Sequence, residues 1–265
     1  MSLNINKIHK WFAAAVIPVL FLLSCGEQTE EQGVLSSTGV VRMYGMPSIG
    51  VGRIVVETEA DPMPQVICID PGHGFDDGGC SSEYLNGLNE DDINLSISLM
   101  LDEELRALGY QTVLTHDGKT FPITSAYDNN NKFKPEERTA YANSIDIDYY
   151  VSIHCNSHTD SSASGIRIYY YDGEIKKEHT SGAIADSIHS GLLQTLEAGT
   201  KSETIEMTSG AYHVIRTTTA PASLIEVGFV TNESDAAKMI DEAWQRTFAE
   251  GVAAGIDRFY RAEQN

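Results

Sequence analysis

The chain has 265 residues, 42% of them hydrophobic, which is enough to bury one core of ordinary domain size. Its formal net charge of −20 at pH 7 argues against nucleic acid as a partner, because nucleic-acid-binding domains carry basic patches. With only four cysteines, the chain is also not a small scaffold held together by disulfides.

The N-terminus has the pattern of a bacterial export signal. Lys7 and Lys10 precede the apolar run WFAAAVIPVLFLLS, which is short for a membrane-spanning helix. The run ends in LLSC and resembles the lipobox of bacterial lipoproteins, which are cleaved before a cysteine that is then lipidated. We predict a lipoprotein signal peptide over residues 1–24 and lipidation of Cys25; the alternative is an ordinary signal peptide with a chance cysteine.

Residues 25–62 are predicted to form a lipidated tether and a short N-terminal extension. The segment GEQTEEQG after Cys25 is polar and lacks proline, as flexible linkers do. The lipid would anchor an exported protein to a membrane, facing the periplasm or the cell wall. Gly26 is not the aspartate associated with retention in the inner membrane, which favours the outer membrane.

Short apolar runs alternate with helical periods through residues 63–265. Six runs are typical of strands: 65–70, 111–116, 148–156, 164–171, 212–216 and 222–229. Helices are predicted before residue 109 and over about 134–145, 178–198 and 234–262. Because several strands are apolar on both faces, the pattern predicts a single α/β domain, with a mostly parallel sheet of about six strands and helices on both faces.

The clearest helix is predicted between the first two strands. Its hydrophobic residues recur at steps of three and four: Ile93, Ile97, Met100, Leu101, Leu105 and Leu108. Asn89 is suited to cap the N-terminus, with Asp92 three residues later, and Gly109 is suited to end the helix. The helix would therefore begin at Glu90, with its N-terminus at the carboxyl edge of the sheet.

Two histidines and two carboxylates fall at that same edge. His73 follows the strand VICID, His154 lies near the end of YYVSIHCN, Glu226 follows ASLI, and Glu90 opens the helix. Ligands of open α/β sheets bind beyond the carboxyl ends of the strands. Two histidines and one glutamate form a common ligand set for catalytic Zn²⁺, and a further carboxylate can serve as general base. The sequence thus predicts a hydrolytic zinc site, with glycines 72 and 74 making room for it.

Each residue also has a simpler interpretation. A single histidine in a structured loop is usually a hydrogen-bonded side chain, whereas an acid at Glu226, beside an apolar strand, is harder to explain without a function. His116 and His213 lie at predicted strands, where they are rival ligands or outer hydrogen-bonding groups. Cys68 and Cys155 lie inside apolar runs and are predicted to be small buried hydrophobes.

Four blocks of the sequence carry a resemblance to a known family. They are VICIDPGHGFDDGGC, LNEDDINLSISLMLDEELRALGYQTVLT, ERTAYANSIDIDYYVSIHCNS and HVIRTTTAPASLIEVGFVTN. In this order and at these spacings they resemble the zinc-dependent N-acetylmuramoyl-L-alanine amidases of the type 3 family, over about residues 64–262. The resemblance implies a peptidoglycan substrate and one Zn²⁺ ion.

The resemblance also implies roles for individual residues. His73, Glu90 and His154 fall on the zinc ligands, and Glu226 falls on the catalytic glutamate. Further matching positions, whose roles are less defined, are Arg138, Asn143, Asn156 and Asn232. Of these, Asn156 is a candidate substrate contact, as is Arg216, which could orient the carboxylates of the stem peptide or Glu226 itself.

Some positions depart from the family pattern. Phe75 replaces a glycine, His116 replaces an arginine, and Cys80 and Cys155 replace alanines. The connection over 117–137 is longer than usual and either shapes the substrate groove or is a surface loop. No departure removes a predicted ligand, so the departures concern specificity more than chemistry.

The predicted reaction is hydrolysis of the amide bond between N-acetylmuramic acid and the L-alanine of the stem peptide. One alternative is a zinc peptidase that acts on the stem peptide, although the sequence lacks the common H-E-x-x-H pattern. The other is an inactive lipoprotein that binds the wall and keeps the fold. Products of peptidoglycan digestion distinguish the three.

Overall fold

The computed structural model describes residues 42–43, 54–55, 65–120, 134–171, 173, 181–196 and 205–263. The chain divides into two compact units, residues 1–61 and 62–265. In the first unit, strand β1 (Arg42–Met43) pairs antiparallel with β2 (Ile54–Val55). The predicted signal peptide, Cys25 and the polar tether lie outside the described residues.

The second unit is built on a six-stranded sheet. Its strands are β3 (Val66–Pro71), β4 (Gln111–Leu114), β5 (Tyr149–Asn156), β6 (Ile166–Tyr170), β7 (Ile205–Ser209) and β8 (Ala222–Phe229). Their order across the sheet is β4-β3-β5-β8-β6-β7, and every pair is parallel except β6 with β8. The predicted mostly parallel α/β sheet is therefore confirmed, and β3, β5 and β8 are neighbours at its centre.

Helices cover both faces of this sheet. They are α1 (Glu90–Ala107), α2 (Pro135–Asn143), α3 (Ser181–Leu196), α4 (His213–Thr217), α5 (Glu233–Met239) and α6 (Glu242–Glu263). Residues of α1, α3, α5 and α6 share one core cluster with Ile67 and Ile69, whereas residues of α2 and α4 share the other with Cys68. Neighbouring residues of β3 thus point to opposite cores, as strand geometry requires. Within the described ranges, no helix combines the length and apolar character needed to cross a membrane.

The first helix starts and stops where its sequence predicts. Glu90 is its first residue, and the backbone N–H of Asn89 donates to Asp92 Oδ2 at 2.9 Å, as in a capping box. Gly109 follows the helix with a φ of +98°, a conformation that favours glycine. The cap fixes the position of Glu90 relative to the sheet edge.

Two predicted elements are wrong in type or extent. Residues 212–216, predicted as a strand, enter the short helix α4, whose adjacent residues Val214 and Ile215 are both buried in one cluster. A strand would have sent them to opposite faces. The predicted helix 234–262 is two helices, because Asp241 caps a new start by accepting the N–H of Ala243 at 2.9 Å.

One strand of the sheet, β7, was not predicted from the sequence. It lies at an edge of the sheet, and four of its five residues are exposed. Its sequence, IEMTS, alternates apolar and polar residues over only four positions, the shortest length from which a half-buried strand is recognised. The predicted number of strands is correct only because this omission offsets the false strand at 212–216.

Candidate metal centre

The candidate metal centre lies at the carboxyl edge of the three central strands. His73 follows β3, His154 lies in β5, and Glu226 of β8 is the direct partner of His154 in the β5–β8 pairing. The register shifts between His154 and Asn156, so the strand becomes irregular immediately after the histidine. Glu90 reaches the same place from the N-terminus of α1.

Glu90 is 1% exposed and contacts both histidines. Its Oε1 lies 3.1 Å from His154 Nδ1 and 3.3 Å from His73 Nε2. The same oxygen accepts the backbone N–H of Cys155 at 3.0 Å, and Oε2 accepts that of Cys80 at 2.8 Å. Two main-chain donors therefore hold the carboxylate against both imidazoles.

The turn after β3 brings His73 into place at a conformational cost. His73 has a φ of +63°, in the left-handed region that non-glycine residues seldom adopt. A side chain at Gly72 would collide with the ring of His154. The small residue and the unusual turn together let the two imidazole rings approach, and their centroids lie 5.0 Å apart.

The donor set fits a zinc ion. One ligand atom from each of His73, Glu90 and His154 lies within 4.8 Å of the others. His154 Nε2 is buried and has no hydrogen-bond partner among the described residues, an arrangement that costs free energy when no ligand is bound. Two histidines and a glutamate make a set that catalytic zinc uses while a position stays open for water.

Two outer residues orient these donors. Asp77 Oδ2 lies 3.3 Å from His73 Nδ1, so the carboxylate can accept that ring hydrogen and leave Nε2 facing Glu90. Asn94 is fully buried one helical turn after Glu90, and its Nδ2 donates to Gly72 O at 3.1 Å and to Glu90 Oε1 at 3.4 Å. Neither Asp77 nor Asn94 was predicted from the sequence. For Asn94 there was a signal, a polar residue four positions after Glu90 on the buried side of the helix; for Asp77 there was none.

The charges of the site are strongly coupled. Burial would raise the pKa of Glu90, but the hydrogen bonds and charges of His154 and His73 outweigh burial and hold this pKa well below its ordinary value. Burial also lowers the pKa of His154. For His73, Glu90 and Asp77 overcome the effect of burial and raise the pKa. Glu90 is thus ionised at every physiological pH, as a metal ligand must be.

Glu226 lies beside this cluster but lacks the hydrogen-bond donors that surround Glu90. It is 8% exposed, and its Oε2 is buried without a hydrogen-bond partner in the described part of the chain. Burial, and secondarily the charge of Glu90, raises the pKa of Glu226 to about 8. A carboxyl group in these conditions is a candidate for proton transfer rather than for structural pairing.

The other predicted residues lie in varied places. Asn156 ends β5, where its Oδ1 accepts the N–H of Ser157 at 2.8 Å, and Arg216 is exposed on α4. Asn143 holds the loop before β8 through Thr217 and Thr219, with its Nδ2 donating to the oxygen of Thr217 at 2.9 Å. Asn232 caps α5. These contacts give Asn143 and Asn232 structural roles.

The rival ligands predicted from the sequence lie elsewhere. Within the described residues, the donor cluster holds neither His116 nor His213. His116 Nε2 contacts Pro71 O at 3.0 Å, while His213 opens α4 and lies 3.8 Å from Glu136. Cys68 and Cys155 are buried at 0% and 3% exposure, as predicted.

The family departures can now be located. Phe75 has a φ of +61°, the conformation that explains why a glycine is usual there, and its ring lies 5.5 Å from that of His116. The two departures at Phe75 and His116 are thus in contact with each other. Cys80 Sγ lies 3.3 Å from Ser157 Oγ, beside the site rather than in its donor set.

These features define a class: an α/β protein that gathers two histidines and a glutamate, with a second buried glutamate, at the carboxyl edge of a mostly parallel sheet. A family model described as N-acetylmuramoyl-L-alanine amidase matches residues 67–258. The chain belongs to this family of peptidoglycan hydrolases. The family predicted from the sequence blocks is confirmed.

Two relatives from Bacillus subtilis (strain 168) are informative. The uncharacterized protein YqiI is 35% identical over 208 residues, which are 76% of this chain and 88% of that protein. The N-acetylmuramoyl-L-alanine amidase LytC is 31% identical over 236 residues, 85% of this chain. The match spans only 44% of LytC, which is a longer protein.

Solved structures agree with this assignment. The catalytic domain of CwlV, an N-acetylmuramoyl-L-alanine amidase from Bacillus (Paenibacillus) polymyxa var. colistinus, superposes with a TM-score of 0.62 at 29% identity. It covers 74% of this chain and 98% of its own. The N-acetylmuramoyl-L-alanine amidase of Clostridium difficile 630 gives a TM-score of 0.64 at 27% identity, over 76% and 98% of the two chains. The second unit thus corresponds to nearly the whole of each solved domain.

Proposed function

We propose that this chain hydrolyses the amide bond between N-acetylmuramic acid and the L-alanine of the stem peptide at a single Zn²⁺ ion held by His73, Glu90 and His154. One observation carries the proposal. Three donor atoms of a zinc-type set lie within 4.8 Å of one another, directly beside a buried carboxyl group that has an unpaired oxygen.

The protein residues divide the work of the reaction. When bound, a zinc ion at such a site supplies Lewis acidity toward the scissile carbonyl and makes water a stronger acid. Glu226, in its ionised form, takes the proton of the attacking water on its carboxylate and passes it to the departing amine of L-alanine. Its raised pKa suits both transfers, because an acid with a pKa near the working pH can accept and release a proton.

Glu90 keeps the histidines in position throughout. Its two main-chain hydrogen bonds already fix the carboxylate, which would let it bind a cation with little reorganisation. Asp77 holds the ring of His73 through Nδ1. These fixed contacts reduce the cost of forming the reactive arrangement.

We also propose Asn156 and Arg216 as substrate contacts. Asn156 lies two residues after His154, at the same sheet edge. Arg216 is exposed on α4 and carries a positive charge, which suits the carboxylates of a stem peptide. No contact supports the earlier idea that Arg216 orients Glu226, since Glu226 Oε2 has no partner within the described residues.

Digestion of purified peptidoglycan tests the reaction. The products, analysed by mass spectrometry with and without a chelator, should be free stem peptides that begin at L-alanine, formed only in the absence of the chelator. Shortened peptides still attached to sugar would instead identify a peptidase acting within the stem. A chain that binds peptidoglycan and releases nothing would be a wall-binding protein.

Export and anchoring are a further part of the proposal. The supporting pattern is the basic and apolar N-terminal segment that ends in LLSC at Cys25. Expressed in a bacterial host with a labelled fatty acid, the full chain should incorporate label and fractionate with membranes, with the outer membrane expected. A Cys25→Ala variant should lose both, and equal labelling of the two proteins would refute the anchor.

A further inference from the structure

A buried charged pair lies beneath the turn that carries His73. Asp70, at the end of β3, is fully buried, and Arg138 of α2 is 4% exposed. Arg138 Nη1 lies 3.0 Å from Asp70 Oδ2. Neither residue belongs to the proposed donor set or acts as the base, so the reaction described above does not account for them.

Asp70 connects four elements of the fold. Its Oδ1 accepts the hydroxyl of Thr115, after β4, at 2.7 Å, and its Oδ2 accepts the hydroxyl of Ser152, in β5, at 2.7 Å. Arg138 adds α2 to the set. Asp70 lies three residues before His73, and Ser152 lies two residues before His154, so one carboxylate ties together the strands that carry both imidazoles.

Two donors converge on the next carbonyl of the chain, that of Pro71. Arg138 Nη1 donates to Pro71 O at 3.3 Å, and His116 Nε2 lies 3.0 Å from the same oxygen. The backbone N–H of Gly118 donates to His116 Nδ1 at 3.3 Å, so in neutral His116 the ring hydrogen is on Nε2 and points at Pro71. His116 is 2% exposed, and both donors are therefore shielded from water.

These contacts fix the peptide plane that leads into the metal ligand. The other side of the turn is held as well, since Gly72 N donates to Ile153 O at 2.8 Å and Asn94 donates to Gly72 O at 3.1 Å. His73 then adopts its left-handed conformation, which is unfavourable for a residue with a side chain and persists only where the surroundings determine it. The two donors on Pro71 O are part of those surroundings.

Stability alone is a poor explanation of this arrangement. Removing a charged pair from water carries a large desolvation cost, and hydrophobic residues of similar volume are often equally stable or more so. Arg138 Nε, moreover, is buried without a hydrogen-bond partner within the described residues. The pair is thus kept at some cost, at the base of the metal-binding turn.

We propose that Arg138 and His116 are positioning residues of the metal centre, which hold the Pro71 carbonyl so that His73 is preorganised for metal binding before the ion arrives. The inference rests on the proposed zinc site, and it assigns a function to His116, at which the sequence departs from the pattern that the resemblance implies. Neither side chain contacts the substrate or the ion in this role.

The test measures metal affinity rather than turnover. The metal-free full chain and its variants are titrated with Zn²⁺ against a chromophoric competing chelator, and thermal unfolding of each metal-free protein is recorded. His116→Phe removes the donor and keeps a ring beside Phe75, while Arg138→Lys keeps the charge and removes the planar guanidinium. Each should raise the Kd for Zn²⁺ about 10- to 100-fold, as loss of an outer partner does.

A matched control separates positioning from general stability. Leu192→Ala removes a fully buried side chain of α3, outside the metal site, and should lower the thermal midpoint at least as much as His116→Phe. Its Kd for Zn²⁺ should stay within about twofold of the wild type. If Arg138→Lys does not fold, His116→Phe still carries the test, because the Asp70–Arg138 pair remains intact in it.

The possible results are distinguishable. Wild-type protein that binds no Zn²⁺ would overturn the proposed zinc centre and this inference with it. Tight wild-type binding with unchanged Kd in both site variants would overturn the positioning role alone, as would an equal loss of affinity in Leu192→Ala. Weaker binding confined to the site variants would support it.

Discussion

Two glutamates, Glu90 and Glu226, lie at the same site on different elements of the fold, and their pKa values are shifted in opposite directions. Glu90, at the N-terminus of α1, is surrounded by donors: two backbone N–H groups, two imidazoles and the amide of Asn94. Glu226, in the middle of β8, has a buried oxygen without a described partner. The pKa of Glu90 is held well below its ordinary value, whereas burial raises that of Glu226 to about 8.

The difference shows how one side-chain type acquires two roles. A capped helix terminus supplies hydrogen-bond donors that stabilise a carboxylate, and this suits a metal ligand. The interior of a sheet supplies no spare donors, because its backbone N–H groups are already paired, and this suits a proton carrier. Substitutions that remove either carboxyl group, or a group that contacts the site from outside, test this difference in role.

The largest effect is expected from Glu226→Gln. The change keeps size and removes the group that carries the proton, so the rate of peptidoglycan hydrolysis should fall by about 10²- to 10⁴-fold. Zinc bound per chain, measured by atomic absorption, should stay at the wild-type level, because Glu226 is not a proposed ligand. An exposed residue of α6 supplies the control, Glu250→Gln, which should retain wild-type activity. Full activity in Glu226→Gln would remove this residue from the mechanism.

The second effect concerns stability and pH in the metal-free protein. Because the folded-state pKa of Glu226 is raised from 4.5 to about 8, the folded chain keeps a proton that the unfolded chain releases above pH 4.5. This contribution to stability is complete below pH 4.5 and is lost as the pH rises to about 8. Relative to Glu226→Gln, which does not titrate, the wild type should lose about 1.4 kcal/mol per pH unit within that window.

Urea unfolding in a chelating buffer measures this loss. The free energies of unfolding of the two proteins, measured at pH 5, 6, 7 and 8, should diverge steadily, because the wild type becomes less stable relative to the variant as the pH rises. The other titrating groups of the site occur in both proteins, so the difference isolates Glu226. Parallel curves would show that Glu226 is ionised in the folded, metal-free protein.

The third effect is expected from Glu90→Gln. The substitution keeps shape and removes the charge that lies against both imidazoles in the proposed zinc site, so the affinity for Zn²⁺ should fall by at least about 100-fold. Activity should fall with it and recover at high zinc concentration, whereas the activity of Glu226→Gln should not recover. Zinc rescue of both variants, or of neither, would contradict the division of roles between the two glutamates.

The smallest effect is expected from Asp77→Asn. Asp77 contacts His73 from the outside and is 39% exposed in its side chain, so the loss in Zn²⁺ affinity should lie near the lower end of the 10- to 100-fold range, at about tenfold. Asp76, its exposed neighbour, gives the matched control. Asp76→Asn should bind Zn²⁺ as the wild type does, and equal losses in the two variants would indicate a general effect of charge.

Much of the fold follows from local sequence signals. The hydrophobic stripe and the cap at Asn89 fix the start of α1, and the runs around Ile67 and Val151 give the central strands. Local sequence signals do not predict the type of element where tertiary packing determines it. The segment at Val214 is apolar enough for a strand but buries two adjacent residues in one cluster, and the alternating pattern of β7 is too short, with only two apolar residues, to predict a strand.

The candidate site divides in the same way. Its four main residues were predictable because each lies in the carboxyl half of a strand, just after a strand or at the start of a helix, where the topology of an α/β sheet brings functional groups together. The contact of Asp77 with His73 was not, because it depends on the path of the turn between them, and the contact of Arg138 with Pro71 was not, because the two residues are distant in sequence. Sequence spacing contains no information about such turns.

The sequence by itself determined the alternation of strands and helices, the family of the chain and the four residues that meet at the sheet edge. Only the tertiary structure decided how each of them behaves. Glu90 and Glu226 are the same residue type in the sequence, and their different pKa values arise from burial and from the donors around them. The physical reason is that hydrogen bonds and desolvation act over a few ångströms in space, between groups that the chain separates by tens of residues, as it separates Glu90 from His154 and from the N–H of Cys155.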